Sequence, residues 1–95
     1  MHLKPTALTL PSDVRPYQRT ATFTEATVPA GLLKAHRTKA LVWGRIVIEA
    51  GQLRLHRQSG EETLLTPELA GIVAPEEEHE VVVNGPVRFW VEFLR

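Results

Sequence analysis

The sequence contains no cysteine. That absence removes a disulfide framework, a thiol nucleophile and any thiolate metal site together. A dominant charge is missing too, because 11 Lys and Arg balance 11 Asp and Glu. Without a basic excess there is no electrostatic footprint for a phosphate backbone, so no nucleic acid partner is expected. No apolar run approaches the roughly 18 residues of a bilayer-spanning helix, so no membrane partner is expected either. The opening MHLKPTALTL lacks the apolar core and small-residue cleavage site of a secretory leader, and the expectation is a cytoplasmic domain. No internal repeat or low-complexity segment is present.

What is there is a normal globular mix, 43% apolar and 23% charged, which sets the chain apart from disordered sequences. Its 95 residues make one domain, 1–95, with a thin core that oligomerisation commonly supplements. Seven prolines and six glycines leave little room for a long helix. Between them, apolar residues recur at period two or in short β-branched runs. Strands are expected at 41–49, 52–57, 63–65, 72–74, 81–83 and 87–94. Pro75 ends one of them, and Asn84-Gly85-Pro86 is the strongest turn signal. Within 87–94, Val87, Phe89, Val91 and Phe93 share one face, and Arg88, Trp90, Glu92 and Leu94 the other. A helix over 25–34 is rejected because Pro29 and Gly31 fall inside it, and a single turn at 67–70 is allowed. Residues 1–16, with Pro5, Pro11 and Pro16, read as an extended N-terminal arm. Six to eight short strands joined by Gly/Pro turns give an all-β sandwich or barrel.

Four histidines are the main carriers of chemistry. His2 lies near the terminus, and His56 sits on a strand face with Gln52 and Arg54, where a solvent-facing role is simplest. His36 and His79 lie at strand–loop junctions, His36 after Pro29-Ala30-Gly31 and His79 after Pro75-Glu76-Glu77-Glu78. Gly31, His36 and Gly51, followed by Gly71, Pro75, His79 and Asn84, resemble the two metal-binding motifs of cupins. Thr38 stands where the first motif has its second histidine, and no Glu occupies the next motif position near Val42 or Trp43.

Along the whole chain, Leu10-Pro11-Ser12-Asp13-Val14, Tyr17, Thr27-Val28-Pro29-Ala30-Gly31-Leu32, Val42-Trp43-Gly44, His79-Glu80-Val81 and 87–93 resemble the small TehB/YeaR-like cupin domains annotated for tellurite resistance. Some members of that family carry the domain ahead of an S-adenosylmethionine-dependent methyltransferase. The resemblance implies a single-domain cupin-like double-stranded β-helix, a jelly-roll barrel with His36 and His79 facing its interior. Imidazole suits zinc, nickel, copper and iron, so the implied cofactor is a divalent metal (Zn, Ni or Fe).

Two histidines need a third ligand, and Glu92 is the choice. It lies mid-strand opposite the large apolar row, where burial demands a partner or a cation. The alternative is pairing with Arg88 or Arg45 across a sheet. Glu80 points to the other face of its strand from His79, Glu76–Glu78 read as a solvated loop with a rim role near the metal as the alternative, and the Thr38 hydroxyl either orients a metal-bound water or only favours a strand. Trp43, Trp90, Phe89 and Phe93 are core residues or walls of a metal pocket. Three functions follow: a metal-dependent site acting on a small oxyanion or organic acid, a non-catalytic sensor or binding module, and a metal-free structural domain. No residue presents itself as a general base. The partners expected are a small-molecule or oxyanion ligand and a second copy of the chain in a homodimer.

Overall fold

The computed structural model describes residues 9–95, so His2 and the first half of the expected arm lie outside it. Eight strands follow in order: β1 Pro16–Arg19, β2 Phe23–Thr24, β3 Trp43–Gly51, β4 Leu53–Arg57, β5 Glu62–Leu65, β6 Gly71–Val73, β7 His79–Val82 and β8 Val87–Leu94. The only helical element among the described residues is a single 3-10 turn at Ala30–Leu33, inside the segment whose proline and glycine ruled out a longer helix. No helix among the described residues is long and apolar enough to cross a membrane.

The strands form two antiparallel sheets. The larger runs β1-β8-β3-β6 with β2 also on β8, and the smaller runs β5-β4-β7. Strands β3 and β8 are its spine, paired from Trp43↔Leu94 to Gly51↔Val87 with a register shift between Ile48 and Ala50. The last two residues of the expected arm join this sheet: Pro16 opens β1, and Arg15 and Arg95 exchange both backbone hydrogen bonds at 3.1 Å, which continues the β1–β8 ladder.

Alternation fills the space between the sheets. Ile46, Ile48, Val73, Val87, Phe89 and Val91 come from the larger sheet, and Leu53, Leu55, Leu65 and Val81 from the smaller. All are buried, Phe89, Leu55 and Leu65 completely. Gly51 makes the reversal from β3 into β4 at φ 81°, and a Cβ there would collide with the Pro86 carbonyl oxygen, so no other residue fits.

The expectation of a closed barrel is corrected to two sheets. Closure needs ladders along both open sides. Here β6 is three residues long and runs into Pro75, which has no N–H to offer. The outer edge of β7 is met by one residue, His36, through an isolated bridge to His79.

Candidate functional site

That bridge builds the site. His36 N–H donates to the His79 carbonyl at 2.7 Å, and His79 N–H donates to the His36 carbonyl at 2.9 Å. A doubly bonded antiparallel pair puts both side chains on the same face. The two rings accordingly meet edge to face, centroids 5.3 Å apart and planes at 90°. His79 is 4% exposed. Its Nδ1 lies 2.9 Å from the Glu77 carbonyl, which can only accept, so the proton is on Nδ1 and the neutral ring presents a lone pair at Nε2. Burial holds the His79 pKa below the ordinary histidine value. The Glu77 hydrogen bond opposes that shift, and His36 beside it adds to it.

The loop carrying His79 is pinned from three directions. Thr38 Oγ1 donates to the Ala74 carbonyl at 3.1 Å and accepts the Glu76 N–H at 3.0 Å. Glu76 has a positive φ of 62°, so this hydroxyl secures a backbone turn that a non-glycine residue rarely adopts. Arg57, its side chain only 8% exposed, reaches both Glu77 carboxylate oxygens at 3.0 Å and the Ile72 carbonyl at 2.6 Å. Glu77 in turn accepts the Ala74 N–H at 2.9 Å. At the rim, Arg37 holds Glu78 at 2.7 Å and the Glu76 carbonyl at 3.0 Å.

Both imidazoles line a cavity of about 230 Å³. Its walls are otherwise apolar: Phe23, Leu32, Ile46, Val73, Val81, Phe89, Val91 and Phe93, with the edges of Thr20 and Thr38. A more open hollow of about 260 Å³ shares His36, Thr38 and Phe93 with it and adds Tyr17, Gln18, Arg37, Lys39 and Val42. Phenylalanines, not tryptophans, wall the cavity. Trp90 lies on the other face of β8, with the Arg19 guanidinium stacked 4.0 Å above its ring.

The structure brings His36 and His79 together and leaves Glu92 apart from them. Phe89, Val91 and Phe93 point into the cavity, so alternation turns Glu92 to the outer face of the sheet. There it lies opposite Arg45, with Oε1 3.0 Å from the guanidinium, an ion pair without an aligned hydrogen bond. Among the described residues, no three His, Asp or Glu side chains gather closely enough to hold a metal. The described residues therefore supply two imidazole donors and no third His, Asp or Glu. His56 sits on β4 with Nε2 3.5 Å from Glu62, and Glu80 lies beside it, opposite His56 in the ladder.

Sequence reasoning missed Arg57 and Glu77, which position His79, and Lys39, which stands on the outer hollow. The one available signal was Arg57, the second arginine of 52–57, ending its alternation. Thr38, for which either a metal-bound water or a plain strand role was expected, hydrogen-bonds the loop.

Residues 18–91 match the TehB-like domain. A crystal structure of a protein from Escherichia coli strain K12, a structural genomics target, is similar over 93% of this chain and 96% of its own, with a TM-score of 0.85 and 18% identity. TehB from Haemophilus influenzae is similar over 87% of this chain, with a TM-score of 0.77 and 22% identity. The chain spans 32% of that TehB. At these identities the two structures attest the fold. No curated protein matches the sequence. The match covers most of the chain, and the chain belongs to the TehB-like domain family.

Proposed function

We propose that this domain is a cupin-like binding module that takes a small molecule with an apolar body into the cavity ending at His36 and His79, and that breaks no bond in it. One observation carries the reading: an open-ended, nearly all-apolar cavity of about 230 Å³ closes on two imidazoles that the backbone locks edge to face. Small-molecule sites have this character, an apolar lining with a few fixed polar groups. Family membership ties the module to tellurite-resistance proteins. A bare oxyanion is poorly served by such a lining, because its lost hydration would go uncompensated.

The test uses benzene as a neutral probe, followed through the methyl resonances of Val73, Val81 and Leu32. Saturable shifts at those methyls, lost in Leu32→Trp with the melting temperature retained, are expected. Wild-type methyls that do not respond to benzene would remove the reading.

A second reading is favoured by the His79 tautomer. Donation of Nδ1–H to a carbonyl is how metal-ligating histidines are commonly oriented, and it leaves Nε2 available. We propose that His36 and His79 together hold a divalent cation weakly, with remaining positions filled from outside the protein. Such an ion would supply Lewis acidity at the cavity end. Melting curves with added zinc, nickel or iron and after chelation should differ in the wild type and coincide in His36→Ala/His79→Ala. Coincident wild-type curves would end this second reading.

A further inference from the structure

We propose that the ligand of this cavity is a small organic anion, with its apolar body among Val73, Val81 and Phe89 and its single anionic head beside His36, facing Lys39. The inference rests on the cavity reading and adds the chemistry of the head group.

Size comes first. A cavity of 150 Å³ accommodates benzene. About 230 Å³ leaves room for a ring plus a few further atoms. The inner end offers an anion nothing, since His79 has committed its Nδ1–H to the Glu77 carbonyl and presents an acceptor at Nε2. A charged head therefore turns outward, past His36, Thr38 and Phe93, the residues that both hollows share.

The chemistry changes on that side. The outer hollow carries Arg37 and Lys39, and no carboxylate lines either hollow. The charge of Arg37 is largely matched by Glu78 at 2.7 Å. Lys39 forms no ion pair among the described residues. Residues 1–8 contain no Asp or Glu that could supply one. An unmatched ammonium on a hollow that shares His36, Thr38 and Phe93 with an uncharged apolar cavity is a recognition element for a monoanion with an apolar tail. It favours such an anion over its neutral isostere, and the apolar lining disfavours compact, fully hydrated oxyanions.

Benzoate and its neutral isostere benzamide separate the head-group claim from the cavity claim. Both are titrated into chelator-treated protein and followed at the Val73 and Val81 methyls, with benzene as reference. Benzoate should bind about two- to fivefold more tightly than benzamide, the range for an exposed charge contact. Lys39→Gln should erase that preference without altering benzene binding, and Lys39→Arg should restore it. Equal or tighter binding of benzamide, or a preference unchanged in Lys39→Gln, overturns the proposal while benzene binding leaves the cavity reading standing. If neither benzene nor benzoate shifts those methyls, the cavity reading falls and this proposal with it.

Discussion

Replacing Arg57 by methionine isolates the network that holds His79. Methionine keeps much of the volume of the arginine stem, so packing along β4 is largely preserved. What is lost is the contact to both Glu77 oxygens and to the Ile72 carbonyl, together with a longer ion pair to Glu61 at 3.5 Å. Removing one partner of a buried ion pair costs about 3–5 kcal/mol because the other charge stays behind. Glu77 remains 23% exposed and keeps the Ala74 N–H, which relieves part of that cost. The expected loss is about 3 kcal/mol, or about 12–24 °C in melting temperature for a domain of this size. Urea unfolding of Arg57→Met, Glu77→Gln and the double variant should return a coupling energy of about 1.5 kcal/mol or more. The His79 ring resonances should also move in Arg57→Met, because the Glu77 carbonyl that orients the ring is displaced. A loss under about 1 kcal/mol, or additivity within about 0.5 kcal/mol, would refute the idea that this network fixes the histidine loop.

Three further outcomes are expected. His79 has a folded-state pKa below its unfolded value of 6.5, so above that pH both states are neutral and no stability is lost. As pH falls below 6.5 the unfolded chain takes the proton first, and stability declines until the folded protein is protonated too. The urea midpoint should therefore fall between about pH 7.5 and about pH 5, and fall less in His79→Gln. Thr38→Val keeps shape but strands the Glu76 N–H and takes one of two donors from the Ala74 carbonyl, which keeps the Glu77 N–H, for a loss of about 1–3 kcal/mol by urea unfolding. Gly51→Ala forces a Cβ against the Pro86 carbonyl at positive φ and should cost more than about 1 kcal/mol by the same measurement.

Local patterning carried most of the strand layout. The run 87–94 alternates cleanly after Asn84-Gly85-Pro86 and forms β8 with those limits. Strands β1 and β2 escaped it: β1 is exposed along its whole length and begins at a proline, so no alternation marks it. How the strands divide between sheets depends on pairings across the chain, which no local pattern encodes. The two histidines that meet were marked by motif spacing around Gly31, Pro75 and Asn84. The sequence showed that Glu92 lies opposite the apolar row of β8. It did not show which row faces the cavity, and Arg45, far away in sequence, pairs with the carboxylate on the outer face. The same limit hid Arg57 and Glu77, separated by twenty residues and joined only by folding.

The ladder position of β8 has a kinetic consequence. Strands β1 and β2, made first, have their hydrogen-bonding partner in the last strand of the chain. As the ribosome extrudes the chain, residues 16–19 and 23–24 must wait for this partner until residues 87–94 emerge. Such distant pairings have to close long loops before any contact rewards them, which places refolding on the millisecond-to-second scale of slow β-proteins.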